Sequence, residues 1–344
     1  MPKTAKKSSS RAVVQNILHP PILHFPAAWA ALAGIVLLDA VWLSHTWLAM
    51  PSPWRCFTLP LLLVNAKLLY HLLFMAELPV LHCVFLLLKK TPWEQRLSLG
   101  VEYVALCYGT GLALCLLSYL VCTLPYPLAD RFLDRLDHLM GFDWSRWFHW
   151  SLHSSFYTCL KIAYASMVPQ FLLFVACFSF WQRKNRLVET FWILLVGLSL
   201  TVILSGFVPA LGPASLFGLE SAFGAIQPLF KDSLAQVTAI RAGINPDFEA
   251  HKLSGIITFP SFHTVCAIAF AYSWRQTGLL GLVALGLNLM MLLSIPFFGD
   301  HYFIDMVAGA IIALLSIGAV KMVARKAGLG EKTIRRGRPR PSLS

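Results

Sequence analysis

His301 and Asp305 stand four residues apart in Gly299-Asp300-His301-Tyr302-Phe303-Ile304-Asp305, and His263 lies 38 residues earlier in Phe259-Pro260-Ser261-Phe262-His263-Thr264. On a helix a spacing of four turns the chain by about 400°, which sets two side chains one above the other. An aspartate so placed accepts a hydrogen bond from one imidazole nitrogen, fixes the tautomer and leaves the other nitrogen as a nucleophile or base. Two histidines, one of them backed by a carboxylate, suit a two-step transfer at phosphorus. One attacks and the other protonates the leaving oxygen.

Phosphoryl oxygens need cations or N–H donors aimed at them. Lys231, Arg241 and Lys252 lie in the polar stretch 209–257. Arg241 is the first choice, because a guanidinium grips phosphate through a bidentate fork. Ser261 and Thr264 add hydroxyls at the start of the following apolar segment, whose helix end offers N–H donors. A second reading of the same residues is a metal site, with His263, Asp300, His301 and Asp305 as ligands. Adjacent Asp300 and His301 would point about 100° apart on a helix, which makes sharing one ion awkward. A third is the ordinary one, since a histidine at a membrane edge is more often structural. His19, His24, His45, His71, His82, His138, His149 and His153 are given no role. Ionisable residues at a membrane boundary are costly, and here two motifs and a cationic loop fall together.

The elements that must position these groups are membrane helices. Of 344 residues, 57% are hydrophobic and 13% charged, against about a quarter charged in soluble domains. Apolar runs of about 20 residues match a hydrocarbon core of about 30 Å. The sequence therefore predicts an all-α, polytopic membrane helix bundle of about eight spans: 27–49, 51–88, 99–122, 156–181, 188–208, 261–274, 279–297 and 301–324. The second is broken by Pro60, Lys67, Glu77 and Pro79. Residues 128–153 read as an amphipathic interfacial helix, with Trp144, Trp147 and Trp150 as belt residues and Asp134 and Asp137 on a solvated face. The organisation follows: a basic cytoplasmic tail 1–26, two N-terminal spans within 27–98, a six-span unit 99–324 containing the loop 209–257, and a basic cytoplasmic tail 325–344.

The net charge of +12 is concentrated at the ends. It reads as positive-inside topology with anionic lipid head groups as partners rather than nucleic acid. Basic loops at 89–96, 182–186 and 275 fall on the side of the termini, which puts 209–257 and the turn 298–300 on the non-cytoplasmic face. Two crossings of about 19 residues then return His301 to the face of His263. The eight cysteines form no CxxC pair and read as small buried hydrophobes. A transporter with Asp39, Lys67, Glu77 and Lys161 as its pathway is the reading from another class. It would be expected to show broken helices in paired halves, and no such symmetry is visible.

Pro260-Ser261-Phe262-His263 followed by Ser294, His301 and Asp305 resembles the type 2 phosphatidic acid phosphatase superfamily, which shares its catalytic fold with vanadium haloperoxidases. The resemblance is best over about 200–324 and implies a six-helix core in spans three to eight. It also implies His301 as nucleophile, Asp305 as its orienter, His263 as general acid, a phosphohistidine intermediate, membrane lipid phosphates as substrates, and neither metal nor cofactor. Three departures concern the grip on phosphate. Phe262 stands where the family usually has Gly, Ile295 follows Ser294 where it usually has Arg, and no Lys-x6-Arg-Pro motif is present. Arg241 or Lys252 would have to substitute. The altered pattern, with Pro209-Ala210-Leu211-Gly212-Pro213, is similar to the inositolphosphotransferase branch, which includes inositolphosphorylceramide synthase and sphingomyelin synthase. That branch moves a phosphorylated head group to a lipid hydroxyl. Simple hydrolysis of lipid phosphate monoesters is the alternative within the superfamily.

Overall fold

The computed structural model describes residues 25–46, 92–227, 230–244 and 255–326, and every regular element within them is a helix. The expected second span 51–88, with Lys67 and Glu77, lies outside the described residues, as do Lys252 and both basic tails. Helix α1 (Phe25–His45) lies against α2 (Pro92–Val121). Asp39 of α1 is buried, and neither carboxylate oxygen has a hydrogen-bond partner among the described residues.

The stretch expected as one interfacial helix is two, α3 (Asp130–Leu139) and α4 (Trp144–His153), separated by a turn through Gly141 at φ 77°. Asp143 caps α4 by accepting from the Arg146 N–H at 2.9 Å. Helix α3 exposes Phe132 and Leu139 but buries Leu133 and Asp137, so Asp137 is not on a solvated face. Trp144 is not a belt residue either. It is fully buried, stacks on Phe148 and Phe217, and donates its indole N–H to the Pro296 carbonyl at 2.8 Å.

The expected fourth span is broken into α5 (Tyr157–Ala165) and α6 (Met167–Phe180), bent by 48°. Pro169 explains the break. It has no N–H for the Ala165 carbonyl, and its ring crowds that group. Helix α7 (Lys184–Phe207) follows. The described part of the polar stretch after it contains three helices: α8 (Pro213–Leu216), α9 (Glu220–Ile226) and α10 (Phe230–Arg241). The chain ends in α11 (Phe262–Ser273), α12 (Leu279–Phe298) and α13 (Phe303–Lys326).

By length and composition, α1, α2, α7, α12 and α13 can each cross a membrane, and the bent α5–α6 pair makes a sixth crossing if counted as one. The expected sixth span corrects differently. Helix α11 has 12 residues, about 18 Å against a core of about 30 Å, too short to cross by itself. Hydropathy marked the apolar run 261–274, and the helix starts one residue inside it. That is fixed by Ser261, whose hydroxyl accepts from the Thr264 N–H at 3.4 Å.

Helix α7 is the common neighbour, packed on α2, α11 and α13, while α11 also packs on α12 and α13. The α11–α13 contact needs Gly309. A Cβ there would come within 3.0 Å of the Thr264 Cβ and closer still to the Ser261 carbonyl. At the far end of α11, Glu189 of α7 accepts from Arg275 at 2.7 and 2.8 Å and from the Tyr272 hydroxyl at 3.0 Å. Thr190 and Ser273 pair beside it at 2.7 Å. A buried hydrogen bond, in which the Asn288 side-chain amide donates to the Gln170 Oε1 at 2.8 Å, ties α12 to α6. These polar clamps fix the sliding of α11 and α12 that apolar contact alone would leave free.

Candidate functional site

The three residues singled out for transfer chemistry meet at one end of the bundle. His301 sits in the turn between α12 and α13, and His263 is the second residue of α11. Their rings are 6.4 Å apart between centroids and inclined by 61°. Asp305 Oδ2 faces His301 Nδ1 at 3.2 Å. The contact differs in origin from a shared helix face, because α13 begins at Phe303. The chain folds back instead, and the same Oδ2 accepts from the Tyr302 N–H at 2.9 Å. His301 and Asp305 are both buried. The Thr258 carbonyl also faces the His301 ring. Gly299 lets the turn pass close by, since a Cβ there would stand 2.7 Å from the His301 Cδ2.

Three further carboxyl groups hold this turn, a part that the sequence assigns to none of them: Asp300 reads there only as a metal ligand and Asp137 as part of a solvated face. Asp137 accepts from the Phe303 and Ile304 N–H groups at 2.7 and 2.8 Å, capping α13 from another helix. Burial pushes its carboxyl up from the usual carboxylate range, against the pull of those two donors. Asp130 accepts from the Leu211 and Gly212 N–H groups and from the Tyr302 hydroxyl, the last at 3.1 Å. Asp300, at φ 53°, accepts from the Ala214 N–H at 2.8 Å. Burial pushes the Asp300 carboxyl up to about 8, against the pull of the Ala214 N–H. The residues on either side of His301 are thus tied to the 211–214 segment. One sequence signal did exist: Asp130, Leu133 and Asp137 recur at i, i+3 and i+7, one helix face, with an apolar residue between the acids.

Removing the α13 cap has a measurable cost. Asp137→Ala leaves two N–H groups without their carboxylate, and the chain is expected to lose about 1–2 kcal/mol of stability. A lower unfolding midpoint in detergent is the readout, and an unchanged midpoint would refute the cap.

A cavity of about 210 Å³ is lined by neighbours of the two histidines but by neither histidine itself. Tyr164, Thr258, Phe298, Gly299 and Asp300 are among the residues that line it, and among the described residues no Lys or Arg does. Tyr164 stacks on His263 at 4.6 Å and 19°. Arg241 is not in this cavity. It lines a smaller recess that shares Ala210, Val237, Ile256, Ile257 and Thr258 with it. Its guanidinium donates to the Tyr126 carbonyl, while Nη1 is buried without a partner among the described residues.

Ser261 is buried and engaged as the α11 cap, and its N–H donates to the Asp305 carbonyl at 3.1 Å. The Thr264 hydroxyl is buried without a partner among the described residues. Ile295 is fully buried, and Phe262 packs on Val265, Ile312 and Ala313, so both departures from the expected motifs are apolar packing. Lys231 is exposed, and Lys252 lies outside the described residues. His45, His138, His149 and His153 each place Nδ1 against the carbonyl one turn back in their own helix. Among the described residues, no three His, Cys, Asp or Glu side chains are placed to hold a metal ion.

In chemical terms the site offers an imidazole beside a carboxylate, a second imidazole opposite, and a nearby cavity that no Lys or Arg lines among the described residues. Comparison with known proteins gives one match. A family model described as PAP2 superfamily covers residues 131–319, more than half of the chain. No curated protein and no solved structure matches.

Proposed function

Because the chain belongs to the PAP2 superfamily, we propose that it is an integral-membrane lipid phosphotransferase. It moves a phosphorylated head group from a phospholipid to the hydroxyl of a second substrate through a phosphohistidine at His301. The observation that carries this reading is the His301–Asp305 contact at 3.2 Å facing the His263 ring. Asp305 accepts from Nδ1–H, which leaves the His301 Nε2 lone pair to attack phosphorus. As the N–P bond forms, the P–O bond to the diacylglycerol oxygen breaks, and His263 gives that oxygen its proton. In the second step the acceptor hydroxyl attacks the same phosphorus, His263 takes the hydroxyl proton, and the N–P bond breaks. Both histidines return to their starting states.

Charge favours a diester donor. A phosphodiester carries one negative charge, while a monoester carries about 1.5 to 2 at neutral pH. Among the described residues no Lys or Arg lines the cavity, and this and the apolar Phe262 and Ile295 fit the smaller charge. Arg241, with its unpartnered Nη1, is the phosphate contact in this reading. Ser261 and Lys252 are further candidates. The basic residues Arg183, Lys184, Arg186, Arg275 and Lys321 at the opposite end of the bundle support a cytoplasmic orientation of that end, with anionic lipid head groups as the proposed partners of the basic termini. The site then opens on the non-cytoplasmic face.

The test is to incubate purified protein with a phospholipid labelled in its phosphate, with and without a lipid alcohol. A labelled product that depends on the alcohol, formed equally well in EDTA, is expected. Release of inorganic phosphate from a monoester, with no acceptor-dependent product, would overturn transfer in favour of hydrolysis.

A further inference from the structure

The phenol of Tyr164 lies flat on the His263 imidazole, centroids 4.6 Å apart and planes inclined by 19°. Phe298 backs the phenol at 5.9 Å and 29°, so the ring is held in a stack. A local break delivers it there. Tyr164 is the last residue but one of α5, and the Ala165 carbonyl that Pro169 cannot bond ends the helix directly after it. Tyr164 also lines the cavity, together with Asp300.

A parallel stack treats the two protonation states of imidazole differently. The neutral ring gains dispersion alone, whereas imidazolium is also attracted to the negative face of the phenol. Few other groups bear on His263. His301 opposes a second proton from 6.4 Å, with Asp305 behind it and Asp300 on the same turn. Helices α6 and α12 carry no Asp, Glu, Lys or Arg. The charges of α7, which are Lys184, Arg186 and Glu189, sit in its first two turns at the opposite end, and Glu189 pairs with Arg275 there. Lys161 of α5 is exposed. No carboxylate contacts His263 among the described residues, yet a general acid needs its proton.

We infer that Tyr164 is a positioning residue of the transfer site, whose ring face holds His263 toward His301 and favours the protonated imidazole that donates to the leaving oxygen. The inference rests on the phosphoryl-transfer reading of the two histidines. It adds a member to the site from a helix that contributes none of the residues singled out from the sequence motifs.

Three replacements separate ring, charge and bulk: Tyr164→Phe keeps the face, Tyr164→Met keeps much of the bulk without it, and pentafluorophenylalanine keeps the shape but removes the negative face. A protonated His263 makes activity fall as pH rises through its titration. Tyr164→Phe is expected to keep that limb at the wild-type pH. The other two move it to lower pH by about half to one unit, with kcat reduced several-fold and KM little changed.

A second readout needs no turnover. Diethyl pyrocarbonate acylates neutral imidazole, and peptide mass spectrometry of His263 in the His301→Ala background follows its titration. The midpoint should fall with Tyr164→Met and with pentafluorophenylalanine, and hold with Tyr164→Phe. An unmoved midpoint in the pentafluorophenylalanine protein, whose shape is conserved, overturns the inference even where Tyr164→Met fails to fold. A shifted midpoint in a protein that transfers no lipid phosphate supports the Tyr164–His263 coupling and overturns the transfer reading instead.

Discussion

Replacing His301 with alanine is expected to lower turnover by about a thousandfold or more while the chain still inserts and folds. The size follows from the step that is lost. Without an imidazole the covalent route has no nucleophile, and only substrate binding and the remaining donors act on phosphorus. The fold does not hang on this ring. Tyr302, Phe303 and Ile304, the residues that start α13, donate their N–H groups to Asp305 and Asp137 and keep those bonds in the variant. Radioactive phosphate from a labelled donor should be trapped on the wild-type protein as an acid-labile adduct and be missing from His301→Ala. Unimpaired turnover in a folded His301→Ala protein would sink the proposed mechanism outright.

How much of this was legible in the sequence depends on the range of the interaction. His263, His301 and Asp305 announced themselves by type and spacing, and the hairpin of α11 and α12 brings them together, although α11 is shorter than the crossing of about 19 residues expected of it. Their contact geometry was not legible. His301 and Asp305 meet because the chain folds back before Phe303, and that turn is set by Asp130, Asp137 and Asp300, whose backbone partners lie 81 to 167 residues away. No local pattern reports such pairings, and an acid on an amphipathic helix normally faces water. Trp144 misled for the same reason: an interfacial aromatic and a buried one look alike until the carbonyl of Pro296 is seen to accept its N–H. The break at Pro169 lay in plain view, but its consequence, Tyr164 against His263, needs α11 in place. Arg241 was chosen for its chemistry, and the recess it lines adjoins the cavity without being part of it.

Asp305→Asn is expected to reduce kcat by about 10²–10⁴-fold with little change in KM. Asparagine has the same shape, so its amide oxygen can still accept from the Tyr302 N–H and keep the turn closed. It cannot supply negative charge. In the proposed mechanism the His301 ring becomes a phosphorylated imidazolium during attack, and the partner of its Nδ1–H then matters most. The group that stabilises that charge is the one at 3.2 Å, Asp305 Oδ2, in a site where the carboxylate is fully buried and little water screens it. Because Asp305 acts through His301, and its side chain lines neither the cavity nor the recess, kcat and kcat/KM should fall together, the pattern of an interaction made only in the transition state. The decisive comparison is a double replacement. If Asp305 works only by orienting and stabilising His301, then adding Asp305→Asn to His301→Ala lowers the residual rate no further. A multiplicative loss in the double variant would show instead that Asp305 acts on the substrate independently, and its role would have to be reassigned.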